Sequence, residues 1–300
     1  MTRTLKLGLG TVQWGMAYGI ANRVGQATKV EIDNLIRIAK QHGITLLDTA
    51  HAYGDAEKVL GEQDVASQGF RVVTKTLPLD SNNINEHDAA LVSAAFLESL
   101  RWLKCTEVYG LLVHHADNLL AAGGDRLWAI LQELKAQSRV EKIGVSVYQP
   151  DHLETILDRY PIDLVQLPFN LYDQRFIQTG LLGCLKEKGV EIHTRSAFLQ
   201  GLLLLPPAQL PERFSAIRYH HVNLYRQISE AGLTPLEACL RFCIDQVDID
   251  QVIVGCETVK QLDEILGVVE QDGAYLPAPE FYAIRDESII DPSMWGKREN

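Results

Sequence analysis

Long hydrophobic runs are missing from this chain. A membrane-spanning helix needs about 18 or more consecutive apolar residues. The longest apolar stretch, GLLLLPP at 201–207, is much shorter and ends in prolines. The opening MTRTLKLGLGT has no charged segment leading into an apolar one, so it does not read as a secretory leader. A cytoplasmic protein with no membrane partner is expected. Basic residues are also short, with 28 Lys and Arg against 39 Asp and Glu and a net charge of −11. Phosphate binding needs clustered Lys and Arg, so nucleic acid is not an expected partner. The five cysteines, Cys105, Cys184, Cys239, Cys243 and Cys256, are odd in number and widely spaced. Cys239 and Cys243 share a helix face, but no second pair matches them. They read as small buried hydrophobes in a reducing compartment, and no metal site is expected. The dinucleotide fingerprint GxGxxG is absent, because Gly8-Leu9-Gly10 is too short and lacks the strand–helix–strand setting.

What the chain does contain is a repeated alternation. Short, nearly continuous apolar runs read as buried strands at 5–9, 44–48, 71–75, 107–114, 141–146, 163–168, 190–195 and 251–254. Helical spacing follows each of them, at 29–42, 55–64, 87–103, around 127–134, 150–158, 178–188, 234–246 and 258–269. Asp55 is placed to cap the second of these helices, and Pro150 opens the fifth. Strands apolar on both faces imply a parallel sheet covered by helices. Eight such units, with 46% hydrophobic residues to fill a core, imply a closed (β/α)8 TIM barrel of class α/β. The whole chain, 1–300, reads as a single domain. Its long connections are 11–28, 116–125 and 196–230, the last reading equally as a lid or a packing element, and a tail of turn formers occupies 270–300.

A barrel of this kind carries its active site at the C-terminal ends of the strands. Asp48, Lys75 and His114 all stand at such ends. Tyr53 lies in the loop just after Asp48, within GITLLDTAHAYGDAEKVLG at 43–61. A carboxylate leaving an apolar strand needs a partner, and Lys75 is the obvious cation. Reducing a carbonyl by hydride requires a proton donor for the developing alkoxide. A tyrosine phenol has an ordinary pKa of about 10 and stays protonated at neutral pH. A nearby Lys ammonium is expected to lower that pKa, with Asp48 holding Lys75 in place. A neutral His114 can donate a hydrogen bond to the substrate oxygen. Strand alternation sends His114 and His115 to opposite sides.

The run Asp48-Thr49-Ala50, Tyr53-Gly54, Glu57 and Leu60-Gly61 matches DTAxxYGxxExxLG and resembles the aldo-keto reductases. The likeness extends from about Leu5 to Val269. It implies the same roles for Asp48, Tyr53, Lys75 and His114. It also implies that Gly10, Thr11, Asp48 and Ser146 lie beside a nicotinamide and that Gln166 bonds its carboxamide. The run RSAFLQG would wrap the pyrophosphate through Ser196, Phe198, Gln200 and Gly201. Many family members place an aromatic ring where this chain has Arg195, whose planar guanidinium can also stack. The eighth-strand run VGCETVKQLDEIL would meet the adenosine ribose and its 2′-phosphate through Gly255, Cys256, Thr258, Gln261 and Glu264. NADPH-dependent members often carry Lys or Arg there, whereas Glu257 is acidic. NADP(H) is the expected cofactor, with NAD(H) the other option. Trp14, Tyr18, His115 and Tyr148 are expected pocket residues, with Phe169 and Asn170 as further candidates.

On this resemblance the expected function is reduction of an aldehyde or ketone to an alcohol, with Tyr53 as proton donor and sugar-related carbonyls among the candidate substrates. LGTVQWGMAYGIANRVGQ, VQLPFNLYDQR and RSAFLQGLLLLP are similar to bacterial members often tied to sugar or surface-polysaccharide metabolism. Two alternatives stand beside this reading. One is a cofactor-holding regulatory subunit with slow or no turnover. The other is a barrel lyase or isomerase. The oligomeric state is open.

Overall fold

The computed structural model describes residues 6–22 and 24–295. Eight parallel strands follow one another around a closed barrel. They are β1 (Leu7–Gly10), β2 (Leu46–Asp48), β3 (Arg71–Lys75), β4 (Val108–Val113), β5 (Val140–Ser146), β6 (Leu164–Pro168), β7 (Glu191–Arg195) and β8 (Gln251–Gly255). Closure is made by β1 pairing with both β2 and β8, with Gly10 opposite Asp48 on one side and Gly255 on the other. The helices outside are α1 (Lys29–Gln41), α2 (Ala56–Glu62), α3 (Glu86–Leu103), α4 (Gly124–Ala136), α5 (Pro150–Arg159), α6 (Leu181–Glu187), α7 (Pro235–Ile244) and α8 (Val259–Glu270). Among the described residues, no helix is long and apolar enough to cross a membrane.

Period-two alternation along the strands sorts their side chains between two cores. Leu47, Val113, Val145, Val165, Ile192 and Val254 face outward and pack with the helices in the main core. Leu46, Val73, Leu112, Leu164 and Ile253 fill the barrel axis as a separate small cluster. Two residues further along those same strands, the inward position passes to Asp48, Lys75, His114, Gln166 and Gly255. The apolar layer is thus the floor on which a polar layer stands. The axis is narrow here. A Cβ on Gly144 would lie 1.6 Å from the Leu164 carbonyl oxygen, so only glycine fits at that point of β5.

Helix ends follow local rules. Thr28 caps α1, and reciprocal capping boxes start α3 (Asn85 with Asp88), α7 (Thr234 with Glu237) and α8 (Thr258 with Gln261). Asp55 does not cap α2 with its side chain as expected. Its carboxylate instead accepts from Lys58 Nζ at 2.9 Å. The first strand begins at Leu7, and Leu5 lies outside the described residues.

The connection after β7 is a packing element. It contains a helix the sequence reading missed, Arg218–Glu230, preceded by 3-10 turns. Leu202, Leu203, Phe214 and Leu224 from this segment bury against Tyr172 and against Tyr282, Ile290 and Trp295 of the tail. Burying that much apolar surface on one side of the barrel mouth ties the tail to the loop that lines the site.

Candidate active site

A cavity of about 700 Å³ opens at the C-terminal ends of the strands. Its inner end is built by the polar layer above the barrel floor. Lys75 Nζ donates to both Asp48 oxygens at 2.9 and 2.8 Å and to the Thr49 carbonyl at 2.9 Å. Asp48 Oδ1 also accepts from Gln166 Nε2 at 2.7 Å. Thr11 fixes the Asp48 backbone, its amide and its hydroxyl both donating to the Asp48 carbonyl. Asp48 and Lys75 are 4% and 2% exposed, so this is a buried pair and not a surface salt bridge. Burial pulls the Lys75 pKa down and Asp48 opposes the pull. With all three ammonium protons accepted, the charged form is the one the geometry holds.

Tyr53 stands over this pair. Lys75 Nζ lies 4.9 Å from its ring centroid, and the His114 ring meets it edge-on at 5.8 Å. Burial raises the phenol pKa, the neighbouring Asp48 carboxylate raises it further, and Arg195 opposes both. The Arg195 guanidinium is one cation that favours the phenolate, and the Lys75 ammonium, bonded to Asp48, lies beneath the same ring. His114 is pushed down to about 2 by burial and then by the charges of Lys75, His115 and Arg195. It is neutral at any ordinary pH. Its backbone amide donates to Thr76 Oγ1 at 3.2 Å, and its Nδ1 is buried without a protein partner.

The cavity wall continues with Gly10, Ser146, Tyr148, His115 and Tyr18. Arg195 is clamped by Val147, whose carbonyl accepts from Nη2 at 3.1 Å, and its guanidinium stacks 3.9 Å above the Tyr148 ring. From there the cavity runs along Ser196, Phe198, Gln200 and Gly201. Ser196, Leu199 and Gln200 all have positive φ, of 63, 47 and 53°. Such backbone costs energy in residues with side chains and persists only where the surroundings enforce it. Here Asn170 Nδ2 donates to the Ser196 carbonyl at 3.0 Å, and Gln200 Nε2 donates to Tyr18 Oη at 2.9 Å. The second bond links the loops after β1 and β7. The outer end of the cavity is lined by Gly255, Glu257, Gln261, Glu264 and Ile265.

Five residues expected at the cavity are placed elsewhere. Trp14 is fully buried, its Nε1 donating to the Cys256 carbonyl at 3.0 Å. Cys256 is fully buried in the main core. Thr258 caps α8 by accepting from the Gln261 amide. Phe169 stacks on Phe242 at 5.0 Å, and Asn170 braces Ser196 from behind. Lys75 and Gln166 are not among the lining residues; both donate to Asp48, and Gln166 Oε1 is left without a partner.

Several wall residues were not anticipated. Gln13 lies beside Gly255, where an added Cβ would come within 2.5 Å of its Nε2, and its Oε1 is buried without a partner. Thr234 and Pro235 bring the start of α7 to the cavity, and Ser293 brings the tail. The Thr-Pro-Leu-Glu capping box at 234–237 was a legible signal for the first pair. Nothing local marks Ser293. Among the described residues, no group of three or more His, Cys, Asp or Glu is placed to hold a metal ion.

The profile of the Aldo/keto reductase family matches residues 6–275. The chain is 27% identical to aldo-keto reductase YhdN of Bacillus subtilis, over 96% of this chain and 92% of that protein. It is 25% identical to the NADH-specific methylglyoxal reductase of Escherichia coli, over 66% of this chain and 65% of that protein. The fold matches aldo-keto reductase AKR11C1 from Bacillus halodurans in its holo form, with a TM-score of 0.70, 19% identity and coverage of 89% and 87% of the two chains. With nearly the whole chain matched, the protein belongs to the aldo/keto reductase family, oxidoreductases that act on carbonyl compounds with a nicotinamide cofactor.

Proposed function

We propose that this protein reduces a small aldehyde or ketone to the alcohol, with Tyr53 as the proton donor. One observation carries the reading. Side chains from the ends of three adjacent strands, and a tyrosine from the loop above, meet at the inner end of one cavity with their protonation states already set: phenol protonated, imidazole neutral, ammonium paired. These are the states that carbonyl reduction needs at neutral pH.

The residues suit a nicotinamide dinucleotide. Gln166 gives its amide N–H to Asp48 and leaves its Oε1 buried without a donor, which fits a carboxamide N–H. The run at 196–201 lines the cavity, has positive φ at Ser196, Leu199, Gln200 and Gly201, and brings no basic side chain, so its backbone and hydroxyl are what it offers a pyrophosphate. Gly10, Thr11 and Ser146 would border the ring, and Ser196 to Gly201 the pyrophosphate. When bound, the reduced nicotinamide supplies the hydride.

The chain's own groups do the rest. A carbonyl oxygen seated between Tyr53 and His114 accepts from the phenol O–H and from the imidazole N–H. As charge grows on that oxygen, Tyr53 passes its proton to it, and Arg195 favours the resulting phenolate. Asp48 and Lys75 are positioning residues that hold the floor under Tyr53. Tyr18, His115, Tyr148 and Arg195 shape the substrate end. The relative named for methylglyoxal supports including that compound, with small sugars, in a substrate panel. No observation favours a regulatory subunit with slow turnover.

The test is Tyr53→Phe, assayed for carbonyl reduction with NADH and with NADPH, alongside a cofactor titration. The expected result is a fall in kcat of about 10²–10⁴, with cofactor affinity retained. Reduction at the wild-type rate would overturn the role of Tyr53.

A further inference from the structure

The outer end of the cavity carries an inference about which dinucleotide this chain accepts, resting on the reading just given. A dinucleotide whose reacting ring lies over Tyr53 has one direction in which to extend. The cavity leads from the tetrad past Ser196–Gly201 to the β8–α8 connection and the first turn of α8. On that reading the distal ribose would meet Glu257, Gln261 and Glu264, which line that end of the cavity.

A helix start at such a place is normally a ready seat for an anion, because its first amides lack partners inside the helix. Here the Val259 and Gln261 amides, and the two just before the helix, are already used. The Val259 amide donates to Glu31 Oε2 at 2.9 Å, a carboxylate that crosses from the first turn of α1. The Glu257 and Thr258 amides donate to Gln261 Oε1 at 2.7 and 3.4 Å. The Gln261 amide donates to Thr258 Oγ1 at 3.3 Å. The charges point the same way. Glu257 and Glu264 line the cavity, whereas Arg195 is the single Lys or Arg among its described lining residues and is held at the inner end. Lys260 is turned out, with its side chain 85% exposed and its Nζ 3.8 Å from Glu264.

We propose that Glu31 and Glu257 make this enzyme select NAD(H) by excluding the 2′-phosphate of NADP(H). Glu31 fills the Val259 amide at the first turn of α8 and adds a negative charge just outside the cavity wall formed by Glu257, Gln261 and Glu264. Glu257 adds a second charge in the cavity wall. A ribose 2′-hydroxyl meets neither obstacle, since it is neutral and can donate to a carboxylate. The expected departure is from the NADP(H) preference that the family resemblance suggests.

The test is binding, measured by fluorescence quenching or calorimetry on the wild-type protein and two variants, Glu31→Gln and Glu31→Ala. Glu31 is outside the cavity lining, so neither change touches the tetrad. The first keeps an acceptor for Val259 and removes the charge; the second also frees the amide. Wild type is expected to bind NADH at least about 30-fold more tightly than NADPH. Each variant should tighten NADPH about tenfold, the size of one charge-assisted interaction, with NADH affinity unchanged within about twofold. Adenosine 2′,5′-bisphosphate against 5′-AMP repeats the comparison without a nicotinamide, and the same tenfold gain is expected for the bisphosphate alone. A purely structural brace between α1 and α8 would weaken all ligands together and leave the ratio fixed, which overturns the proposal. So does wild-type NADPH binding as tight as NADH. Binding of neither dinucleotide would overturn the oxidoreductase reading itself.

Discussion

Replacing Asp48 by Asn removes the counter-charge from an ammonium that is 2% exposed. Lys75 keeps the Thr49 carbonyl at 2.9 Å and loses both carboxylate contacts, at 2.9 and 2.8 Å, to a neutral amide. Breaking one side of such a buried pair costs about 3–5 kcal/mol, because the remaining charge stays in the interior. With an unfolding entropy of roughly 2 cal/mol/K per residue, a chain of this length should lose about 5–8 °C in Tm. Lys75→Met leaves the opposite orphan, a carboxylate supported by Gln166 Nε2 at 2.7 Å and the Thr11 region behind it. The double variant Asp48→Asn/Lys75→Met leaves no unpaired charge. It should cost less than the two single changes added together, by about 2 kcal/mol or more. Urea unfolding of the four proteins at pH 7 closes the cycle. Additivity within about 0.5 kcal/mol would refute the coupling and with it the idea that this pair holds the floor of the site.

Three other outcomes are expected. His114 has a folded pKa of about 2, below the ordinary value near 6.5, so between those values the unfolded chain binds more protons and stability falls with falling pH. From pH 7 to pH 5 this one residue should remove about 2 kcal/mol, and His114→Gln should flatten that limb of a urea-unfolding profile; an unchanged limb would contradict the assignment. Because burial and Asp48 raise the Tyr53 pKa, kcat for reduction should be level from pH 6 to 9 and decline only beyond about pH 10. A break near pH 8 would show that something other than this phenol supplies the proton. Gly15→Ala would place a Cβ 1.9 Å from the Tyr53 carbonyl oxygen and 2.4 Å from the Ala56 amide. It should shift the Tyr53 loop, cost about 1–3 kcal/mol of stability and lower kcat more than cofactor affinity; full activity would show that the loop gives way freely.

Much of the fold was legible because its signals are local and repeated. Buried strands at even intervals, each followed by a helical stripe, leave few arrangements other than a barrel. The positions of Asp48, Lys75 and His114 were legible for the same reason, since parallel strands deliver their C-terminal ends to one rim. The choice of His114 over His115 rested on the family resemblance; alternation predicted the two on opposite sides, but the strand ends at Val113 and both rings line the cavity. Trp14 was misread because loop aromatics have no period to reveal their direction. Its ring turns under β8 only because the short helix Val12–Gly15 packs there and the Cys256 carbonyl needs a donor. The helix Arg218–Glu230 went unseen because its apolar stripe is interrupted by polar residues and is completed by a tail some sixty residues away.

By itself, then, the amino-acid order determined the architecture, the rim at which the strands end and the residue types gathered there, since each depends on spacing of two or about four residues. Tertiary structure decided the charges and the occupancy. The Asp48–Lys75 pair beneath Tyr53 joins two neighbouring strand ends, while Arg195, which favours the phenolate, comes from a strand on the far side of the barrel. Whether the start of α8 is open to an anion depends on Glu31, which is 228 residues away from Val259 in the chain and 2.9 Å away in space. Electrostatics and hydrogen bonding act over ångströms, and no pattern along the chain records that distance.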